Sequence, residues 1–326
     1  MLNVKVYRGN NIESRHQVLA AVVNSQGQVL ESYGDIETLI YPRSAIKPLQ
    51  SLPLVVSGAS DFYHLTDQEI AIASSSHDGE EFHIECVESW LARLNLSIKD
   101  LECGVHPPYH DPTAFELYKQ GKEFLAIHNN CSGKHTGMLC LAQFLKVPTQ
   151  GYVKAHHPVQ QKVKEQIEQM IQYKIPAEAF GIDGCSIPTW WLPLKNFAGG
   201  LARFADPTSC KDLDSKVQKA CQRVYEACVQ NPDYIAGTER FCTKIMKECE
   251  GKAVVKTGAE GVFAAMIREQ GLGIAVKCLD GSLRGSEAAI AYLLNKYQVL
   301  PNHSGYLHKK VSNWNHIVTS RIEVSI

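Results

Sequence analysis

"AVVKTGAEGVFAAMIREQGLGIAVKCLDG", residues 253–281, contains three apolar runs, AVVKTG, GVFAAMIRE and GLGIAVKCLDG, separated by Gly-containing turns. Short β-rich runs this close in sequence predict strands paired antiparallel. The same signal stands earlier in "HQVLAAVVNSQGQVLESYGD", residues 16–35, where two apolar runs flank the polar turn NSQG. That is a hairpin, and a hairpin needs further strands to be stable. Between the two β-rich regions the period changes. HIECVESWLARL, GKHTGMLCLAQFL, HPVQQKVKEQIEQMIQ, LDSKVQKACQRVYEACV and TERFCTKIMKEC repeat apolar residues at i, i+3 and i+4, and TDQE, Thr66 to Glu69, has the spacing of a capping box. GSEAAIAYLLNKY closes the series as a last helix. The expected fold is mixed α/β (α+β): a mainly antiparallel sheet built from both chain ends, about 1–42 and 251–285, with a terminal helix. A helical region of about 60–250 lies between them, and residues 1–326 form one composite domain.

Of the 326 residues, 44% are hydrophobic and 21% charged, which suits a globular chain with a sizeable core. The formal charge of −1, with Lys and Arg scattered, gives no electrostatic footing for nucleic acid or anionic lipid. No basic and apolar leader opens the chain, and no apolar run is long enough to span a bilayer. Eleven cysteines, an odd number without C-x-x-C spacing, predict reduced thiols and a cytoplasmic setting. Cys221 with Cys228, and Cys242 with Cys249, read as helix-face packing.

"YPRSAIKPLQ", residues 41–50, places Ser44 three residues before Lys47 at the start of an apolar helical stretch. On a helix the two share a face, so a neutral lysine amine could take the serine proton. About one such spacing is expected by chance in a chain of this composition, so the pair needs support. Lys256-Thr257-Gly258, at the end of an expected strand, supplies it. Ser-x-x-Lys at a helix start followed by Lys-Thr-Gly on a strand is the two-part signature of penicillin-recognising serine enzymes. The Ser-Asp-Asn element that belongs between them is missing, and Ser132-Gly133-Lys134 is the nearest candidate by position. A second lysine in the same cleft would also lower an ammonium pKa and help Lys47 serve as a base.

Two loops concentrate further chemistry. HNNCSGKHTGML, residues 128–139, crowds Asn130, Cys131, Ser132, Lys134 and His135 before a helix, and GIDGCSIPTWW, residues 181–191, carries Asp183 and Cys185. One thiol in each loop underspecifies a metal site by spacing alone. ASSSHDGEEFH, residues 73–83, brings Ser, His and Asp too close in sequence for a hydrolase triad, although one serine could face the cleft and His77 could cap the loop.

RSAIKP, SSSHDGE, NNCSGKHTGML, GIDGCSIPT and VVKTGAEGV, in that order along almost the whole chain, resemble the asparaginase II family, the thermolabile, rhizobial-type L-asparaginases. The resemblance implies a serine β-lactamase-like fold, shared with glutaminases. It implies hydrolysis of L-asparagine to L-aspartate and ammonia through a β-aspartyl ester on serine. Ser44 with Lys47 and Ser76 with Lys256 correspond to two Ser-Lys tandems. Cys131, Lys134 and Cys185 correspond to ligands of a zinc ion, whose charge would keep the lysine neutral. Arg43 and Asp183 correspond to residues lining the substrate, with His135 beside them, and a homodimer is implied. Two other readings stay open on the residues themselves: a penicillin-recognising serine hydrolase, and a zinc- or amino-acid-binding protein without turnover.

Overall fold

The computed structural model describes residues 1–326. Eight strands form one antiparallel sheet: β1 (Leu2–Arg8), β2 (Asn11–Asn24), β3 (Val29–Tyr33), β4 (Ala253–Thr257), β5 (Val262–Ile267), β6 (Leu272–Cys278), β7 (Lys310–Ser312) and β8 (Val318–Ser325). Their order is β7-β8-β1-β2-β6-β5-β4, with β3 also paired to β2. The long strand β2 joins the two chain ends: Asn11 to Val18 pair with β1, Ala20 to Val23 with β3, and Val18 to Asn24 with β6 on the opposite edge. Strand β4, which carries Lys256, is left as an edge of the sheet.

Helices cover both faces of this sheet. Gly273 of β6 faces helix Leu194–Ala205, where a Cβ would fall 2.0 Å from the Ala198 carbonyl oxygen. Cys278, of opposite parity on the same strand, meets Gly285 of helix Leu283–Lys296. Strands β5 and β6 are consequently buried on both sides, which is why their sequences are apolar nearly throughout. The buried apolar residues form one contiguous core.

The expected helices are present at Glu81–Arg93, Ser132–Phe144, Pro158–Ile171, Ser215–Gln230 and Phe241–Glu248. Thr66 caps helix Asp67–Ala73 as the sequence predicts, accepting from the Glu69 N–H at 3.3 Å while Glu69 Oε2 accepts from the Thr66 N–H at 2.9 Å. All eleven cysteines are unpaired, and ten are buried. No helix is long and apolar enough to cross a membrane. Two features differ from the sequence reading. The hairpin β7–β8 extends the sheet beyond the last helix, and Leu39–Ile40 pairs with Leu192–Pro193 in a separate ladder.

Candidate active site

The turn Arg43–Ile46 is a 3₁₀ turn, and short helical pieces Lys47–Gln50 and Leu52–Val56 follow it. Pro48 and Pro53 open these pieces, where a missing N–H costs least. Arg43 adopts φ +50°, a left-handed conformation that a non-glycine residue holds only when its surroundings enforce it. The enforcing neighbour is the end of β4. A Cβ on Gly258 would lie 2.6 Å from the Pro42 carbonyl oxygen and 3.2 Å from the Ala45 nitrogen. Glycine therefore lets Lys256-Thr257-Gly258 close directly onto the Ser44 turn.

The loop after helix Asp67–Ala73 supplies the third wall. The Ser76 N–H donates to Ile235 O at 3.0 Å, and the His77 N–H donates to Asn130 O at 3.0 Å. Two amines converge on the Ser76 hydroxyl: Lys47 Nζ at 2.8 Å and Lys256 Nζ at 2.9 Å. Lys47 also donates to Ser75 O at 2.5 Å and reaches Cys131 Sγ at 3.0 Å, so its three N–H groups all have partners. None of those partners is Ser44. The serine and lysine share a face, but the long lysine side chain reaches across to the Ser76 loop. Ser44 is half-buried, its hydroxyl bonds to no protein group, and its N–H and that of Ala259 have no backbone acceptor.

Burial, and then the charge of Lys47, push the Lys256 amine down to about 7. Ser132 is not the hydroxyl between the lysines, since its Oγ is 2.9 Å from His77 Nε2. The Gly79 N–H donates to His77 Nδ1 at 3.1 Å, so Nε2 carries the proton toward Ser132, and burial holds this ring neutral. His77 braces the loop behind Ser76, a role the sequence only suggested as capping.

The next group lies against the first. Lys134 Nζ is 3.0 Å from Cys185 Sγ, although the two are 51 residues apart. The neighbouring Cys131 thiol, with Lys134 and Lys47, outweighs the cost of burial and holds Cys185 well below the usual thiol range. The Cys185 sulfur, with burial, pushes Cys131 up to about 12, while the Cys131 thiol donates to Asn130 Oδ1 at 3.1 Å. Burial lowers the Lys134 pKa, but the Cys185 and Cys131 sulfurs outweigh it and raise the value overall. Two thiols and an amine, of which Lys134 and Cys185 are already in hydrogen-bond contact, form a soft donor set, and three protein donors leave a position open in a tetrahedral shell. These residues fit a zinc ion, given loss of the Lys134 and Cys131 protons on binding.

Beside them Asp183 Oδ1 accepts from Arg43 Nε at 2.8 Å and from the Gly184 N–H at 2.8 Å, leaving Oδ2 without a protein partner. Burial opposes ionisation of Asp183, but Lys134 and Arg43 outweigh it and lower its pKa. His135 makes no side-chain bond to the other candidates. It is fully buried, with Nδ1 2.6 Å from the Tyr152 hydroxyl, and Nε2 has no partner.

A separate trio, His16, Cys278 and Asp280, sits near the start of helix Leu283–Lys296 with donor atoms within 4.8 Å of one another. Arg284 donates to His16 Nε2 at 3.2 and 3.0 Å, so Nδ1 carries the ring proton, given to Asp280 at 2.6 Å. That tautomer turns an N–H, not a lone pair, toward the other donors.

Residues 4–324 match the family described as L-asparaginase II. No curated protein matches the chain. Among solved structures, one described as Mglu in its tris and glutamate form is similar at 12% identity with a TM-score of 0.50, over 88% of this chain. The chain spans 60% of the length of that structure. A putative β-lactamase from Bacteroides dorei DSM 17855 aligns at 10% identity and TM-score 0.41, over 90% of this chain and 93% of its own. A class C β-lactamase from Rhodobacter sphaeroides aligns at 13% identity and TM-score 0.41, over 91% and 94%.

Proposed function

Because this chain belongs to the L-asparaginase II family, we propose that it is an amidohydrolase that releases ammonia from the side-chain amide of L-asparagine by way of an ester on Ser44. The observation that carries the reading is the Ser76 hydroxyl held between the Lys47 and Lys256 amines at 2.8 and 2.9 Å. A hydroxyl bridging two lysines moves protons well but is only 4% exposed and already accepts two hydrogen bonds. Ser44, half-buried with an unspent hydroxyl, is the better attacking group.

Ser44 Oγ attacks the amide carbon, and the N–H groups of Ser44 and Ala259 receive the charge that develops on oxygen. The Ser44 proton passes to Lys47 as Lys47 hands one to Ser76 Oγ and Ser76 hands its own to neutral Lys256. When the carbon–nitrogen bond breaks, the proton returns from Lys256 through Ser76 to the departing nitrogen, which leaves as ammonia. Water attacks the ester, its proton follows the same path, and aspartate is freed with Ser44 restored. Asp183 Oδ2, which no protein group uses, receives the α-ammonium of the substrate.

Cys131, Lys134 and Cys185 would hold a zinc ion at the wall of this cleft, where it would supply Lewis acidity at its open position. Asparagine and glutamine differ by one methylene, about 1–3 kcal/mol of discrimination in a pocket, so preference between them is set by cleft length. Ammonia release from each, with and without chelator, tests the reading. Turnover in the wild type and its loss in Ser44→Ala and Lys47→Ala support it, and near-normal rates in either variant contradict it.

A further inference from the structure

Helix Asp111–Lys119 is turned inside out. None of its residues is buried: Thr113, Ala114 and Leu117 face the protein half-buried, while Phe115 is 69% exposed and Tyr118 78%. A surface helix ordinarily presents its apolar stripe to the core. Here the two aromatic side chains stand on the far side, and Val105 and Tyr109, in the loop before the helix, are exposed as well. Together the four leave on the order of 500 Å² in water, a large part of the roughly 800 Å² that each partner in a stable complex buries.

The loop that leads into the helix holds this face outward. Asn129 Nδ2 donates to Cys103 O at 2.9 Å, the Asn130 N–H to His106 Nε2 at 3.0 Å, and the His110 N–H to Asp78 O at 3.0 Å. His110 Nδ1 then meets Thr113 Oγ1 at 2.8 Å on the inner side of the first turn. With the inner side fixed in this way, Phe115 and Tyr118 are covered only by another molecule.

The charges on the face identify that molecule. Asp111 opens the outward stripe, Lys119 closes it, and Phe115 stands midway between them at i+4 and i+8 spacing. Asp111 makes no ion pair within the chain, and Lys119 makes only a loose one with Glu116 at 3.9 Å. Roughly 12 Å of helix separates the two, too far for them to pair with each other. A second copy of the helix, laid antiparallel about a two-fold axis through Phe115, brings Asp111 to Lys119 of the partner subunit. The same rotation stacks the two Phe115 rings at the axis and sets Tyr118 over Pro112 of the partner subunit. A face whose charges are complementary to their own two-fold image suits an isologous contact better than a foreign partner.

We propose that the outward face of helix Asp111–Lys119 is the contact of a two-fold homodimer, with Phe115 at the axis and Asp111 paired to Lys119 of the partner subunit. The family resemblance implies two copies, and this helix supplies the surface and the register on which they meet.

The test is sedimentation velocity on the full chain, as wild type, Phe115→Ser, Asp111→Lys and Lys119→Asp. The wild type sediments as a dimer with a Kd of about 1 μM or below. Phe115→Ser raises that Kd about 30-fold or more. Each charge variant sets like charges against each other at both ends of the contact and raises Kd about tenfold or more. Mixed together, Asp111→Lys and Lys119→Asp recover a dimer with a Kd within about threefold of wild type, because each chain supplies the charge the other has lost. The mixture carries the test if Phe115→Ser does not fold. A wild type that stays monomeric at about 100 μM overturns the proposal. So does a folded Phe115→Ser that dimerises like wild type, a charge variant with unchanged Kd, or a pair of charge variants that does not recombine.

Discussion

Lys256 donates to the Ser76 hydroxyl across 2.9 Å although 180 residues separate them. The contact joins the C-terminal sheet to the loop that leaves helix Asp67–Ala73, and it exists because Gly258 lets the end of β4 close onto the Ser44 turn.

The pH dependence follows from this lysine. Lys256 can take a proton from Ser76 only when neutral, and its amine is pushed down to about 7. Below that pH, kcat/KM falls about tenfold per unit. Stability has a linked sign: the unfolded chain keeps this proton up to the ordinary 10.5, while the folded chain releases it near 7. Between those values unfolding takes up a proton, so stability rises with pH in the wild type and this contribution vanishes in Lys256→Met. Rate profiles and melting curves of both proteins at matched pH check it.

Metal removal gives a second expectation. Lys134→Met deletes one of three donors and the cation beside the Cys185 sulfur. Zinc affinity falls at least about tenfold, read as metal per chain after dialysis against a graded chelator. Chelator lowers the melting temperature of the wild type by removing a ligand of the folded state, and has little effect on the variant. Equal zinc retention in both removes Lys134 from the donor set.

A single methyl group tests the closure of the sheet onto the turn. In Gly258→Ala the new Cβ meets the Pro42 carbonyl oxygen at 2.6 Å, and neither backbone can yield without moving Ser44 relative to Lys256. Stability falls by about 1–3 kcal/mol. A displacement on the order of 1 Å in the site lowers kcat/KM by about 100-fold. Kinetics together with denaturant unfolding separate the two effects, and a variant of full activity would show that the close approach does not position the serine.

Much of this arrangement was legible in the sequence, and the gaps have physical causes. The apolar runs of β4 to β6, the Thr66 cap and the helix periods are local signals, and they appear in the structure as read. The hairpin β7–β8 was missed because its first strand is wholly exposed and carries no run of core residues. Ser44 and Lys47 were picked by spacing, but where the lysine amine ends up depends on the Ser76 loop, which no spacing rule locates. Cys131, Lys134 and Cys185 obey no metal-ligand spacing, since the lysine and Cys185 meet across 51 residues through tertiary packing, and only the family resemblance pointed to them.

The division of labour between the two serines is the centre of this account, and one measurement reaches it directly. The wild type is mixed with L-asparagine, quenched in acid during turnover, digested, and the covalent aspartyl adduct located by mass spectrometry. The adduct is expected on the peptide containing Ser44, and absent from that position in Ser44→Ala. An adduct on Ser76, or turnover of asparagine with no covalent adduct on either serine, would contradict it.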